Sequence, residues 1–383
     1  MPIPVERQTY SNGDTKESRL FQPVTIGNMH LKHRIGMAPM TRTRTVKGRV
    51  PSPMMKEYYG QRASVPGTLI ISESIVISQA MAGGYAAPGI WSPEQLSVWK
   101  EIVDEVHRKG CFIVAQLFAF GRTAYPEVVK SEGIELIAPS AIPIDDNYPT
   151  PRAMTIGEIE QMVKDFATAS KNAIAVGFDG VECHGANGYL LDQFLRDVSN
   201  QRDDAYGGTV ENRARAVEEV LDAMVEAVGA DRVGLRLSPF SPFQGMAMSD
   251  PYPQHEYMIQ VVNRLGLMYL SMIEPRVSGT DDVELPGSLD FAYNLWKGKM
   301  LVAGGYKPDG ARARVDEERV ERDVVVLFAR SFIGNPDLVY KIRKGLALNK
   351  HDHSTAYGVD SREGYLDYKF SEEFLQEHTG GSL

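Results

Sequence analysis

The fold prediction starts from the stretch Val181-Glu182-Cys183-His184-Gly185-Ala186-Asn187-Gly188-Tyr189. Its first residues have the apolar character of a short buried strand that ends at His184. A turn with two glycines follows, so His184, Asn187 and Tyr189 leave the strand end within six residues. An imidazole, a carboxamide and a phenol each need hydrogen-bond partners when buried, and their concentration at one turn therefore predicts a functional site.

Seven further apolar segments have the same strand character. The predicted strands are residues 34–40, 68–75, 112–117, 180–184, 232–238, 268–273, 300–303 and 324–328. The predicted helices are residues 53–62, 92–109, 155–176, 211–228, 257–265 and 289–297, a charged segment around Glu318, and residues 335–346. Regular alternation of strands and helices implies parallel strands with right-handed crossovers. Eight such units predict an α/β fold, a (β/α)8 TIM barrel.

The alternative fold is a doubly wound open sheet. That fold usually places a Gly-x-Gly-x-x-Gly turn after its first strand, and no such turn follows residues 34–40. A barrel also accounts for most of the 383 residues as one domain. We predict an N-terminal arm at residues 1–19, the barrel at 20–370 and a C-terminal tail at 371–383. The long connection after the third strand, residues 119–155, is typical of a lid or binding loop.

Composition excludes several classes of partner. A net charge of −9 argues against a nucleic-acid or anionic-membrane partner, which would require a basic face. The N-terminus lacks the apolar run of a signal peptide, and no segment has the length of a membrane span, so we expect a cytoplasmic protein.

The two cysteines, Cys111 and Cys183, form no disulfide framework and no metal-ligand spacing. We expect both to be small buried apolar residues.

In a barrel of this type, the chemistry lies at the C-terminal ends of the strands. The predicted ends contribute Pro39-Met40-Thr41, Glu73-Ser74, Gln116, His184 with Asn187 and Tyr189, Arg236, Glu274, Gly304-Gly305 and Arg330. The loops after the seventh and eighth strands commonly bind phosphate. Here they offer bare backbone amides at Gly304 and Gly305 and a guanidinium at Arg330, which suit a phosphate monoester. We therefore predict a phosphorylated cofactor that lies across the barrel mouth.

An ordered series of motifs adds a family resemblance. The motifs are Leu20-Phe21-Gln22-Pro23, Ala38-Pro39-Met40-Thr41-Arg42, Pro88-Gly89-Ile90-Trp91, the run from His184 to Phe194, Tyr206-Gly207-Gly208 with Glu211-Asn212-Arg213, Arg236-Leu237-Ser238-Pro239, Arg330 with Asn335-Pro336-Asp337-Leu338, and Gly364-Tyr365-Leu366-Asp367-Tyr368. In this order, from about residue 20 to 370, they resemble the Old Yellow Enzyme family of flavin-dependent ene reductases.

The resemblance implies noncovalently bound FMN. The implied FMN-binding residues are Pro39, Met40, Thr41, Ser74, Gln116, Arg236, Gly304, Gly305, Ala329 and Arg330. By this analogy, Thr41 donates to the flavin O4 and Gln116 bonds the pyrimidine edge. Arg236 stabilises the negative charge of the reduced flavin. Gly304, Gly305 and Arg330 hold the phosphate.

The resemblance also implies a reaction and its substrates. NADPH or NADH would reduce the flavin, and hydride would pass from flavin N5 to the β-carbon of an enone or enal. His184 and Asn187 would donate to the carbonyl oxygen, as an oxyanion hole does. Tyr189 would protonate the α-carbon, because a phenol with a pKa near about 10 keeps its proton at neutral pH. The implied pocket residues are Tyr85, Phe118, Phe243, Phe291 and Tyr357.

Four positions depart from the family pattern. Phe118 stands where many members carry Trp, and Ala329 stands where Gly usually precedes the phosphate-binding arginine. Gly305 replaces a more usual Asn, and Ser74 replaces a common Gly or Ala. The trio of His184, Asn187 and Tyr189 is intact, so these departures bear on substrate identity more than on activity.

Three other functions stay open from the sequence. The first is a flavin-dependent isomerase or tailoring enzyme of a natural-product pathway, although the presence of Tyr189 favours net reduction. The second is a flavin-free barrel lyase or hydrolase that uses Glu182 and His184 as acid and base, since residues two apart on a strand share a face. The third is a noncatalytic flavin-binding protein. The sequence leaves open whether the protein is a monomer or a homodimer.

Overall fold

A computed structural model describes residues 17–84 and 86–378 of the chain. Its centre is a sheet of eight parallel strands: β1 (Ile35–Met37), β2 (Leu69–Ile71), β3 (Phe112–Phe118), β4 (Gly180–Gly185), β5 (Val233–Leu237), β6 (Tyr269–Ile273), β7 (Met300–Ala303) and β8 (Val324–Phe328). Each strand pairs with the next, β8 pairs with β1, and β3 pairs with β4. The sheet is therefore a closed barrel, and the TIM-barrel prediction is confirmed.

Both faces of the barrel strands are buried. In β8, Val325 and Leu327 point into the barrel interior, whereas Val324 and Val326 pack against the surrounding helices. A strand buried on both faces reads as a continuous apolar run, and this explains why β8 is so clear in the sequence. On β4, Cys183 packs outward. It is buried and unpaired, as is Cys111, which confirms the prediction for both cysteines.

An antiparallel hairpin, Val24–Ile26 with Met29–Leu31, covers the N-terminal end of the barrel. Its apolar side chains join the cluster of residues inside the barrel. A side chain at Gly27 would lie 2.4 Å from the carbonyl oxygen of Asp231, just before β5, so the hairpin turn sits directly against that end. This hairpin was not predicted from the sequence, because each of its strands has only three residues.

Twelve α-helices occur in the described chain. They are α1 (Pro53–Arg62), α2 (Pro93–Arg108), α3 (Pro126–Glu132), α4 (Ile156–Ala175), α5 (Leu190–Leu195), α6 (Val210–Val228), α7 (Tyr252–Leu265), α8 (Asp290–Leu295), α9 (Pro308–Ala313), α10 (Arg330–Gly334), α11 (Leu338–Lys344) and α12 (Glu372–His378). Ser92 and Thr155 both form complete capping boxes, which fix the starts of α2 and α4. None of the described helices combines the length and apolar character needed to cross a bilayer.

The predicted second strand, residues 68–75, is interrupted in the structure. Regular pairing ends at Ile71 and resumes at Ile75–Val76, which pairs with the end of β3. The irregular residues between them include Glu73 and Ser74. This interruption brings Ser74 to the mouth of the barrel, where it lines the central cavity.

Candidate active site

A cavity of about 1270 Å³ opens at the C-terminal end of the barrel. Most of the residues predicted from the strand ends or implied by the family resemblance line it: Pro39, Met40, Thr41, Ser74, Gln116, Phe118, His184, Asn187, Tyr189, Arg236, Phe243, Gly304, Gly305, Ala329, Arg330 and Tyr357. The closed barrel brings these residues together because the C-terminal ends of all eight strands meet at one face.

Two predicted pocket residues are not among them. The ring of Phe291 packs edge-on against Tyr252 at 5.2 Å and against Phe240 at 6.2 Å. The short helix α8 carries Phe291 into this separate aromatic cluster, so the prediction that it shapes the pocket does not fit its position. Tyr85 lies outside the described residues.

A buried hydrogen-bond network forms the floor of the cavity. Ser74 Oγ donates to Gln116 Oε1 at 2.5 Å, and Gln116 Nε2 donates to Glu182 Oε1 at 2.7 Å. Tyr269 Oη donates to the other carboxylate oxygen of Glu182 at 3.0 Å. A carboxylate only accepts hydrogen bonds, so Glu182 fixes which end of the Gln116 carboxamide donates.

This role of Glu182 was not predicted from the sequence. The sequence feature that could have indicated it is the position of Glu182, two residues before His184 and therefore on the face of β4 that points into the barrel. Glu182 is fully buried and does not line the cavity. Because Glu182 does not reach the cavity, its position does not support the hypothesis of a lyase in which Glu182 and His184 act together on a substrate.

Arg236 lies beside His184, since the two residues are register partners on β5 and β4. Arg236 is 5% exposed, and its guanidinium donates to Ser271 Oγ at 3.2 Å. Burial lowers the pKa of Arg236, and the carboxylate of Glu182 opposes that effect. An arginine keeps its charge even so, and the cavity floor therefore carries a fixed cation.

His184 is a neutral imidazole in this environment. Burial, together with the charge of Arg236, lowers its pKa to about 3. Its Nδ1 atom is buried and has no hydrogen-bond partner among the described residues. Leaving a buried polar atom unpaired costs about 1–3 kcal/mol, which is typical of a group that binds a ligand.

Tyr189 packs edge-on against Phe118, with ring centroids 5.1 Å apart, and its ring lies 5.2 Å from that of His184. Burial raises the pKa of Tyr189 to about 12, with smaller contributions from Tyr125 and Tyr357 and an opposing hydrogen bond from Gln244. The phenol thus keeps its proton across the neutral range and can act as a general acid.

The turn that carries Asn187 is fixed from below. Asn187 has a φ of 58°, a left-handed conformation that Asn tolerates better than most residues, and its backbone N–H donates to Ser238 Oγ at 2.8 Å. The next amide, of Gly188, donates to Asp192 at 2.9 Å. Asp192 in turn forms a fully buried ion pair with Arg196 at 2.8 Å. This network holds the Asn187 side chain at the cavity wall.

Successive glycines line the opposite end of the cavity. Gly304 and Gly305 have φ values of 126° and 63°, and a Cβ on Gly304 would lie 2.8 Å from the Cβ of Glu274. Only glycine fits this backbone without strain. Arg330 lies in the same region and forms an ion pair with Asp282, in the short strand Asp281–Asp282. Asp282 was not predicted as a site residue, because it lies outside the predicted strand ends.

This geometry agrees with a comparison against known families. The sequence profile of the NADH:flavin oxidoreductase / NADH oxidase family matches residues 19–349. The chain belongs to this family. The barrel mouth of this chain offers polar groups at its floor, and Gly304, Gly305 and Arg330 line its wall.

Individual relatives agree with the family assignment. The chain is 49% identical over 362 residues to a chanoclavine-I aldehyde reductase of Penicillium roqueforti, covering 93% of this chain and 98% of that protein. It is 45% identical over 367 residues to an NADP-dependent oxidoreductase of Aspergillus flavus, covering 93% and 97%. The crystal structure of Old Yellow Enzyme from Pichia sp. AKU4542 superposes with a TM-score of 0.87 at 36% identity, covering 93% of this chain and 94% of that one. The resemblance to Old Yellow Enzyme is confirmed.

FMN and a nicotinamide nucleotide are the cofactors of this family, so both cofactor predictions are confirmed. The residues of this chain fit FMN. The Gly304–Gly305 backbone and Arg330 suit its phosphate, since amide N–H groups and a guanidinium both bind phosphate oxygens. The oriented carboxamide of Gln116 and the cation of Arg236 suit the polar edge of its ring.

Proposed function

We propose that the protein is an NAD(P)H-dependent ene reductase that saturates the activated C=C bond of α,β-unsaturated aldehydes and ketones. The observation that carries this proposal is the position of Tyr189, a protonated phenol beside the neutral imidazole of His184 in one cavity. The names of two relatives, an aldehyde reductase and an NADP-dependent oxidoreductase, support it.

The chemistry that FMN would supply when bound is hydride transfer to the β-carbon of the substrate, after its reduction by the nicotinamide nucleotide. Pro39, Met40, Thr41 and Gln116 would hold the flavin ring, and Gly304, Gly305 and Arg330 would hold its phosphate. Arg236 adds a buried positive charge, which stabilises negative charge on the ring.

His184 and Asn187 bind the carbonyl oxygen of the substrate. Each donates one hydrogen bond, so two donors converge on the atom where negative charge grows as hydride arrives. A neutral imidazole suits this role, because its N–H is a hydrogen-bond donor but a very weak acid. The enolate oxygen is therefore stabilised without taking the proton from His184.

Tyr189 then transfers its phenolic proton to the α-carbon. One hydride and one proton have now been added across the C=C bond, and the product is the saturated aldehyde or ketone. The phenolate left behind is a strong base, since the pKa of Tyr189 is about 12. Solvent water returns the proton, and the residue is ready for the next cycle.

An anaerobic spectral cycle tests this function. The holoprotein is titrated with NADPH, or NADH in a parallel cell, until the flavin absorbance is bleached. Cinnamaldehyde or 2-cyclohexenone is then added, and the product is identified by mass. We expect the absorbance to return with one equivalent of saturated product. A flavin that stays bleached with both substrates, whether the substrate is unchanged or its double bond has only migrated, contradicts the proposal.

A further inference from the structure

Four aromatic side chains at the mouth of the cavity are strongly exposed. Tyr125 is 49% exposed, Tyr148 44%, Phe243 38% and Tyr357 53%, and all four line the cavity. Large apolar side chains that gather around one opening are typical of a surface that a ligand covers. Because these rings stand outside the catalytic trio, they suit the distal part of a large substrate more than its reacting group.

A carboxylate lines the same cavity as these rings. Asp145 lines the cavity and is exposed. Its Oδ1 accepts one hydrogen bond from the backbone of Asn147 at 2.8 Å, and among the described residues it forms no ion pair. In this it differs from Asp282, the other cavity-lining carboxylate, which is paired with Arg330.

The segment that precedes Asp145 is anchored to the segment that packs on the turn carrying Tyr189. The buried guanidinium of Arg122 donates to the carbonyl of Pro143 at 3.1 Å and to that of Gln244 at 3.0 Å. Gln244 packs against Gly188, in the turn that carries Asn187 and Tyr189. A Cβ placed on Gly188 would lie 2.8 Å from the Cβ of Gln244. Arg122 thereby ties the segment just before Asp145 to the turn that carries Tyr189.

We propose that Asp145 and the four exposed rings form a subsite for a protonated amine on a bulky enal or enone. Aromatic faces attract an ammonium group, and an adjacent carboxylate supplies the counter-charge. The net charge of −9 also raises the local concentration of cations near the chain. This inference names the substrate class of the proposed ene reductase and rests on that function.

The test compares two enals of nearly equal shape. The cationic probe is 4-(dimethylaminomethyl)cinnamaldehyde, and the neutral probe is 4-isobutylcinnamaldehyde. Binding of each probe to the oxidised holoprotein is measured by calorimetry without nicotinamide, and kcat/KM is measured with NADPH. The variant is Asp145→Asn, and the matched control is Asp146→Asn, which changes a neighbouring exposed carboxylate that does not line the cavity.

We expect the cationic probe to bind about 5- to 20-fold more tightly than the neutral one, the range expected for a carboxylate and cation–π contact near the surface. Asp145→Asn should remove most of this preference and leave the neutral probe unchanged, while Asp146→Asn keeps it. Equal binding of the two probes, or a preference that survives Asp145→Asn, overturns the subsite. Loss of turnover for both probes with the binding preference intact contradicts the ene reductase function but supports the subsite.

Discussion

Gln116 and Glu182 are joined by a hydrogen bond of 2.7 Å beneath the cavity, from Nε2 to Oε1. Both side chains are almost fully buried. Burial raises the pKa of Glu182, and the nearby charge of Arg236 is the largest effect that opposes it. Glu182 therefore has two roles: it orients the carboxamide that is expected to bind the flavin, and it offsets part of the positive charge of Arg236.

Replacing Glu182 should change the reduction potential of bound FMN. Glu182→Gln keeps the size of the side chain but removes its negative charge, so Arg236 acts on the flavin without compensation. Negative charge on the reduced flavin is then better stabilised, and we expect the midpoint potential at pH 8 to rise by about 20–40 mV, which corresponds to 1–2 kcal/mol for two electrons. Spectroelectrochemical titration measures this shift.

Glu274→Gln is the matched control for that experiment. Glu274 is also a buried carboxylate at a strand end, but it is bound by Tyr306 at 2.6 Å and Arg314 at 2.7 Å and does not line the cavity. Its replacement should leave the potential unchanged. A fall in potential in Glu182→Gln, or equal shifts in both variants, is inconsistent with the charge balance described above.

Arg330 forms an ion pair with Asp282, and we expect this pair to compete with the predicted phosphate contact. Asp282→Asn removes this competition, so we expect the Kd of FMN to fall by about two- to fivefold, because an exposed ion pair contributes at most about 1 kcal/mol. Fluorescence titration of the apoprotein measures the Kd. Asp281→Asn changes the adjacent carboxylate, which does not line the cavity, and should have little effect. Weaker FMN binding in Asp282→Asn would show that the carboxylate helps Arg330.

Glu73 makes stability depend on pH. Burial raises its pKa to about 8, although Arg42 and Arg44 lower it in part. A raised pKa means that the folded protein holds a proton that the unfolded chain releases near pH 4.5. The resulting stabilisation is complete below that value and is lost as the pH rises through 8. Glu73→Gln should thus match the wild type at pH 5 and exceed its unfolding free energy at pH 9 by roughly 4 kcal/mol.

Denaturant unfolding at the two pH values checks this prediction, because all other titrating groups cancel in the difference between wild type and variant. A difference that is the same at pH 5 and pH 9 would show that Glu73 is ionised in the folded protein throughout this range.

Strand order and strand-end chemistry were predictable from the sequence because both depend on local pattern. The last two strands, β7 and β8, were bounded correctly, since continuous apolar runs mark strands buried on both faces. His184, Asn187 and Tyr189 follow the end of β4. Because all strand ends of a closed barrel meet at one face, they were predicted to lie near Gln116 and Arg236.

Contacts between distant segments were not predictable in this way. Asp282 and its partner Arg330 are 48 residues apart in the sequence, and Arg122 and its hydrogen-bond acceptor Gln244 are 122 residues apart. Neither has a local signal. The same limit explains Phe291, whose partners Phe240 and Tyr252 come from another part of the chain. The short helices α5 and α10, of six and five residues, are too brief to show a helical period.

The role of Tyr189 as the proton donor is the central claim, and stopped-flow spectroscopy of the two half-reactions tests it most directly. In Tyr189→Phe, reduction of the flavin by NADPH should proceed within about twofold of the wild-type rate, while its reoxidation by 2-cyclohexenone should slow by at least about 100-fold, the usual contribution of a general acid. Tyr252→Phe, which removes a phenol outside the cavity, should change neither rate. Reoxidation of Tyr189→Phe at the wild-type rate, with saturated product still formed, would contradict the account.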